Sequence, residues 1–436
     1  MPPVNVELVN TGSELMLGRV LNTHQQWLCR RLADLGHVVT RQVAIADTGS
    51  AIQQAVREAL GRADLIITTG GLGPTSDDIT RELIANLLGK KLVENLDVRA
   101  HIENFFSQRG RPRPAQTSVE TLVPEGAEVL LNATGTAPGL AIKIGAGSWE
   151  LKAGKAGLLP DTSPVSPASP QWLVMLPGPP RELRPMFDHQ VVPLLQHVYA
   201  AEVFICRTLR TTGIGESRVQ EFVEADLQPL VRRGLEIGYC ARPGAVDVRL
   251  TASGADARQL VGEGEALVQS ILGASIFGLD DDELENVVVQ RLTARKQTLA
   301  LAESCTGGAI AQRITDVPGA SEVFLGGVVS YANSAKETLL GVNPETLRQY
   351  GAVSEAVARE MALGARKKFN SDYALAVTGI AGPGGGTPEK PVGTVFIALA
   401  SSARVEVKQF LNFWDRPTFK QVTATQSLDW LLQAML

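Results

Sequence analysis

Histidine is nearly absent from this chain of 436 residues: there are five, and none lies beyond His197. No Ser-His-Asp triad can therefore form within the part of the chain that follows. Cysteine is equally sparse. Its four residues, Cys29, Cys206, Cys240 and Cys305, are far apart and show no Cys-x-x-Cys spacing. That excludes a zinc cluster or disulfide framework and fits a reducing cytosol. No apolar run approaches the roughly 18 residues of a membrane span. Positive charge is not in excess: 41 Lys and Arg face 46 Asp and Glu, a net charge of −5, so no global basic field recruits nucleic acid. The first residues, Met1-Pro2-Pro3-Val4-Asn5, lack a basic segment followed by an apolar one. No signal peptide is expected, and a cytoplasmic location is.

What is present is apolar residue, 44% of the chain, enough for a core in each of the two or three domains that the length implies. Val4 to Asn10 alternates as a strand and runs into Thr11-Gly12-Ser13-Glu14. A helix with Leu21, Leu28, Leu32 and Leu35 on one face follows, with Gly36 as its stop. Val38 to Ile45 is a second strand. Ser50 is the expected cap of a helix carrying Ile52, Val56 and Leu60. Asp64 to Thr69 is a third strand, entering Gly70-Gly71-Leu72-Gly73-Pro74-Thr75-Ser76-Asp77-Asp78, with a helix through Leu88 beyond. Alternating strands and helices predict a doubly wound, mostly parallel sheet over residues 1–198. Ligands of such sheets sit at the carboxyl ends of strands. Pro and Ser alternate over about 145–171, which reads as an exposed insertion.

Residues 199–279 alternate short strands with two helical stretches and predict a small α+β module, of the split βαβ kind. Gly213-Ile214-Gly215-Glu216 reads there as a loop capping a helix. Residues 280–436 predict a further α/β domain. Asp281 and Asp282 are expected at the start of its first helix, and Ser354 as the cap of a long one.

In that last domain three strand ends carry polar groups: Ser304-Cys305-Thr306-Gly307-Gly308, Tyr331 with Lys336, and Thr378 with the Gly-rich loop that follows. A serine needs a base, and a buried lysine of lowered pKa can serve. The absence of histidine sharpens the case for Ser–Lys chemistry. The plainer readings stand beside it: a capped turn at 304–308, a solvated Lys336, a core Tyr331. Cys305 is a rival nucleophile or a small buried hydrophobe. The helix start after Gly308 and the Gly379–Gly382 backbone are both suited to an anion or oxyanion.

In the first domain, Thr69-Gly70-Gly71-x-Gly73 looks like a phosphate cradle, although it is not a Walker loop. Asp77 or Asp78, with Glu14, would hold a hard cation such as Mg²⁺ against a pyrophosphate. The plainer reading is charge complementation of a helix N-terminus.

Taken together, Thr11–Glu14, Thr69–Asp78, Gly135-Thr136-Ala137-Pro138-Gly139 and Leu176-Pro177-Gly178-Pro179-Pro180 resemble the N-terminal part of the CinA family, competence/damage-inducible protein A. That part is itself similar to molybdopterin-binding domains. Ala302–Gly308, Tyr331–Lys336 and Thr378–Pro383 resemble the family's C-terminal domain. The resemblance covers nearly the whole chain and fails only over the Pro/Ser insertion. It implies two activities: a C-terminal nicotinamide mononucleotide amidohydrolase, releasing ammonia and nicotinate mononucleotide, and an N-terminal, divalent-metal-dependent ADP-ribose pyrophosphatase. It implies Ser304 as nucleophile, Lys336 as base and Tyr331 as an assistant. Cys305, Thr306, Gly307, Gly308, Thr378, Gly379, Ala381, Gly382, Arg416 and Lys420 would hold the nucleotide. The family commonly has arginine where Lys420 stands, so a bidentate phosphate contact becomes a point charge. Thr11, Gly12, Thr69, Gly70, Gly71, Gly73, Gly135, Thr136 and Gly178 would hold phosphates, with Asp77, Asp78 and Glu14 at the metal. The deamidase needs no cofactor. A homodimer without nucleic-acid or membrane contact is expected. Two alternatives are a non-catalytic partner protein in competence or recombination, and an N-terminal pterin-binding module.

Overall fold

The computed structural model describes residues 4–145, 171–199 and 203–435. The Pro/Ser-rich insertion falls almost entirely outside the described residues. By its contacts the chain divides into two compact units, Met1–Phe204 and Ile205–Leu436.

In the first unit, β1 (Val6–Thr11) leads through α1 (Ser13–Met16) and α2 (Thr23–Asp34) to β2 (Val39–Ile45), α3 (Gly49–Leu60) and β3 (Leu65–Thr69). Then come α4 (Thr80–Leu87), β4 (Leu92–Glu94), α5 (Leu96–Ser107), a 3-10 turn (Ala115–Thr121), β5 (Leu122–Pro124), β6 (Glu128–Leu130) and β7 (Gly139–Ile144). The unit closes with β8 (Gln171–Leu176), α6 (Pro180–Met186) and α7 (Val192–Val198). Six strands form one sheet in the order β2-β1-β3-β8-β7-β6. The β1/β2, β1/β3 and β3/β8 pairs are parallel; β7 and β6 join antiparallel. Strands β1, β3 and β8 are buried at every position, as strands covered by helices on both faces must be. The chain leaves β1 toward β2 on one side and returns as β3 on the other. That switch opens a crevice at the carboxyl ends of β1 and β3.

Several local expectations need correction. Leu21 is 86% exposed and precedes α2. The cap there is Asn22, whose side chain accepts the Gln25 N–H, so the helix starts after the leucine. The α3 helix begins at Gly49 with Thr48 in the cap position, not at Ser50. The β4/β5 ladder, and β6 at the edge of the main sheet, are each three residues long, too short to show a period.

The second unit begins with β9 (Phe204–Thr212), α8 (Glu216–Val231), β10 (Glu236–Arg242), β11 (Ala245–Ser253), α9 (Ala257–Leu272) and β12 (Ile276–Leu279). Its sheet order, β10-β11-β9-β12, includes a fourth strand that the sequence reading left out. The split βαβ arrangement is that of the expected module. The 213–215 loop lies at α15 (Arg416–Ala434): Thr212 donates its hydroxyl to Asp429 at 2.5 Å.

The remaining elements are α10 (Leu284–Arg295), β13 (Leu299–Glu303), α11 (Ala309–Thr315), β14 (Phe324–Val329), α12 (Asn333–Leu340), α13 (Pro344–Tyr350), α14 (Glu355–Phe369), β15 (Tyr373–Gly379), β16 (Thr394–Ala400) and β17 (Val405–Leu411), before α15. Asp281 and Asp282 precede α10, and the Asp282 carboxylate accepts the Leu279 N–H instead. Ser354 caps α14 as expected, accepting from Val357 N. The sheet runs β14-β13-β15-β16-β17, parallel across its first three strands. On one face Ala300 and Ala302 of β13 meet Ala358, Ala362 and Ala365 of α14. Small residues let α14 lie close, and Gly364 extends this to α12. A Cβ on Gly364 would stand 1.9 Å from the Leu340 carbonyl oxygen, so only glycine permits the packing that fixes α12.

Candidate active site

Strand β13 pairs with β14 and β15 in register, Glu303 opposite Val329 and Val377. The next residue on each strand, Ser304, Ser330 and Thr378, therefore emerges at the same level. This register is the physical reason that three separate polar stretches converge. Ser304 and Thr378 line one cavity of about 200 Å³ together with Cys305, Tyr331, Asn333, Lys336, Ala352, Val353, Gly379, Ala381 and Arg416; Ser330 does not.

Lys336 is the unusual member. A lysine on a helix ordinarily reaches solvent, yet this one is 1% exposed. Its Nζ donates to Ser304 Oγ at 3.1 Å, to the Ser330 carbonyl at 2.7 Å and to the Tyr331 carbonyl at 3.3 Å. No carboxylate is among those partners, and burial holds the amine below its ordinary pKa. Cys305 is a different case. Burial pushes its thiol up to about 12, which makes a thiolate nucleophile inaccessible at neutral pH.

Glu303, the last residue of β13, is the functional residue that sequence reasoning missed. Its carboxylate is 1% exposed and accepts three backbone N–H groups, from Gly308 at 3.0 Å, Ile310 at 3.2 Å and Ala311 at 2.8 Å. The helix start expected to receive an oxyanion is thus filled by the protein's own side chain. Glu303 ties the 304–308 turn, with Gly307 and Gly308 at φ +62 and +96, to the strand that precedes it. The Glu303→Gln variant loses a charged acceptor, turns an NH₂ toward backbone donors and is expected to be less stable by about 1–3 kcal/mol. A shift in the denaturant midpoint reads this directly; an unchanged midpoint would refute the tie.

The other expected residues divide. Arg416, in the first turn of α15 behind the Asp415 cap, donates to the Gly382 carbonyl at 2.9 Å and to the Tyr331 hydroxyl at 2.6 Å. Tyr331 is 61% exposed and its hydroxyl is held by Arg416, at the cavity rim. The Thr378 hydroxyl donates to the Ala352 carbonyl at 2.7 Å, so it forms wall. Thr306 is buried with its hydroxyl unpartnered. Lys420 reaches the outer side of the turn, its Nζ 3.6 Å from where a Cβ on Gly307 would stand. Asn333 was not anticipated; its place in the stretch after Tyr331 was its only signal.

In the first unit a cavity of about 520 Å³ occupies the crevice at β1 and β3. Thr11, Gly12, Gly70, Gly71, Gly73, Gly135, Thr136 and Gly178 all line it, as do Glu14, Asp77 and Asp78. Thr69 does not; its hydroxyl is buried and donates to Asn10 at 3.0 Å. The glycines at 70 and 71 take φ of +99 and +69, and a Cβ on Gly71 would fall 2.0 Å from the Thr80 hydroxyl. Asp47, Glu120 and Glu182 also line the cavity. Asp47 lies two residues beyond β2 and was findable by the strand-end rule; Glu120 lies in a polar stretch without periodicity. The expected metal ligands do not assemble. Asp78 is engaged by the Thr75 N–H at 3.0 Å and hydroxyl at 2.5 Å. Among the described residues no three His, Cys, Asp or Glu side chains are placed to hold one ion. No step is therefore assigned to a metal.

The whole chain aligns with a CinA-like protein of Akkermansia muciniphila, 43% identical over 435 residues, covering 100% of this chain and 98% of that protein. The chain belongs to the CinA family. Its parts match the profiles of a probable molybdopterin binding domain (7–197), the damage-inducible protein CinA KH domain (206–278) and the CinA C-terminal domain (281–435). A Thermoanaerobacter pseudethanolicus protein described as competence-damage inducible is 40% identical over 429 residues, with 97% of this chain and 96% of that one aligned. Among solved structures, the competence/damage inducible protein CihA of Agrobacterium tumefaciens is 40% identical, covers 35% of this chain and 93% of its own, and has a TM-score of 0.34. Within the CinA family chain described here, no helix among the described residues is long and apolar enough to cross a membrane.

Proposed function

We propose that the C-terminal domain is an amidohydrolase that converts nicotinamide mononucleotide to nicotinate mononucleotide and ammonia. The observation that carries this reading is the 3.1 Å hydrogen bond between a buried, carboxylate-free Lys336 amine and Ser304 Oγ. The free amine takes the hydroxyl proton as Oγ attacks the carboxamide carbon. The tetrahedral oxyanion is met from the backbone of the 304–306 turn and the 379–382 loop, since Glu303 fills the α11 N-terminus. Lys336 then returns the proton to the leaving nitrogen, the C–N bond breaks and ammonia departs. Water hydrolyses the acyl-serine ester and leaves the carboxylate. Arg416, whose guanidinium donates to the Gly382 carbonyl and the Tyr331 hydroxyl and to no carboxylate among the described residues, suits the nucleotide phosphate, with Lys420 nearby.

For the first unit the reading is an ADP-ribose pyrophosphatase, supported by the glycine loops and the size of the cavity at β1 and β3. The purified chain incubated with nicotinamide mononucleotide is expected to release ammonia. Nicotinamide riboside, which lacks the phosphate, is expected to react with a KM raised roughly tenfold or more, the loss of a charge-assisted contact. No ammonia from the nucleotide would overturn the assignment.

A further inference from the structure

The cavity of the first unit contains a buried acid that the readings above leave unused. Glu120 is fully buried and lines the cavity. Its Oε1 accepts the Thr136 hydroxyl at 3.1 Å, and its Oε2 has no hydrogen-bond partner. Charge reaches it from the surrounding elements. Asp78 before α4 and Glu182 on α6 repel its negative form; Arg81 on α4 and the Thr136 hydrogen bond favour it. Arg81 is itself buried, with its guanidinium donating to the Leu72 carbonyl at 3.1 Å. Glu182 accepts from Asn132 at 2.8 Å. His101 on α5 lies beside Thr136, with Nε2 3.2 Å from the Gly135 carbonyl.

A fully buried carboxylate with one bare oxygen and two like charges nearby is costly as an anion; as a neutral acid it leaves only a carbonyl unpaired. Desolvation is the largest contribution, and the Glu120 carboxyl is pushed up to about 7. The consequence concerns Thr136. While Glu120 is ionised, the threonine must donate its proton to Oε1 and can show the cavity only lone pairs, which repel a phosphate. Once Glu120 is protonated, the acid can donate to Thr136 Oγ1, and the threonine proton becomes free to turn outward.

We propose that Glu120 and Thr136 form a proton-controlled donor in this cavity, in which protonated Glu120 hands its hydrogen bond to Thr136 and Thr136 donates to a phosphate oxygen of the bound pyrophosphate. This rests on the reading of the cavity as a pyrophosphate site. Glu120 acts as a positioning residue, because it reaches the ligand only through Thr136. Ligand binding takes up close to one proton when the pH is above the free-state value of Glu120, and less below it. Binding is strongest below the free-state value of Glu120 and weakens as pH rises through it.

The test is calorimetric titration of the full chain with ADP-ribose between pH 5.5 and 9, a range in which its two phosphates stay fully ionised. Wild-type affinity is expected to be about tenfold weaker at pH 8 than at pH 6, the slope of one proton titrating near 7. Glu120→Gln places a permanent NH₂ donor against Thr136. It is expected to bind at pH 8 as tightly as the wild type does at pH 6, with no slope. Thr136→Val is expected to bind weakly at every pH. His101→Gln, which removes the imidazole beside Thr136, is expected to keep the wild-type slope. An unaltered slope in Glu120→Gln, or a flat profile in His101→Gln, sinks the switch while leaving the pyrophosphate reading in place. Wild-type chain that binds no ADP-ribose at any pH removes that reading and the switch with it.

Discussion

Ser304→Ala is expected to lower ammonia release from nicotinamide mononucleotide by at least about 10³-fold, with hydrolysis and binding at the other unit unchanged. The size follows from the cavity's contents. Apart from Ser304, its lining offers the Cys305 thiol, which burial keeps protonated, and the Thr378 and Tyr331 hydroxyls, which are engaged by the Ala352 carbonyl and by Arg416. Lys336 would remain, but with no hydroxyl to deprotonate it could act only on a loosely held water. The serine is 8% exposed, so replacing it removes one hydrogen bond and little packing. The wild-type chain, quenched during turnover, should carry the mass of a nicotinate mononucleotide acyl group on the peptide containing Ser304, and the alanine variant should not. Ammonia release at the wild-type rate in the variant refutes the nucleophile.

Lys336→Met should be equally inactive, for a separable reason. Methionine fills the space of the stem but cannot take the proton. Its structural cost is the Ser330 carbonyl left without its 2.7 Å donor, about 1–3 kcal/mol. That loss leaves a folded protein, so a 10³-fold fall in rate would report chemistry rather than unfolding. The pH behaviour adds a second measurement. Burial lowers the amine from the ordinary 10.5, so the folded state favours the neutral form and the unfolded chain binds the extra proton. Stability conferred at this position is therefore lowest below the lowered value. It climbs with pH between the lowered value and 10.5. The deamidation rate, which requires the free amine, rises through the lowered value and then levels off. Lys336→Met should abolish that stability slope, read as denaturant midpoint against pH. A slope that survives in the variant assigns the titration to another group.

The strand ends were legible because each is an apolar run that stops at glycine or a hydroxyl, and such stops in parallel sheets gather at one edge. Ser304, Tyr331, Lys336 and Thr378 could thus be grouped although 74 residues separate the first from the last in the sequence. What could not be read was the state of each group. A lysine in a helix that also holds Ser334, Glu337 and Thr338 looks solvated; only the approach of α12 to α14 buries it. Glu303 looked like the polar end of a strand. Its role depends on a helix start that folds back within reach, a distance that no spacing rule supplies. Glu120 sits in a 3-10 turn, where side chains follow neither the helical nor the strand period. Helix starts err by a few residues: Thr48 stands at the cap expected of Ser50, Leu21 falls before α2 rather than inside it, and Asp281 and Asp282 fall before the start of α10. The metal expectation took Asp77 or Asp78 with Glu14; Glu14 lies in α1 and the aspartates in the loop before α4, and shared lining of one cavity does not by itself bring carboxylates to one ion.

The carboxylate of Glu303 has one more consequence. By filling the backbone amides after Ser304, it gives the serine turn a resident anion that cannot diffuse away. Phosphate, sulfate and the carboxylate of the product find that position taken. Inhibition by simple anions should then be competitive at the Arg416 end of the cavity and leave the reactivity of Ser304 toward a small neutral acylating agent untouched. The turn is insulated from the ionic content of its solution by a residue that never contacts substrate.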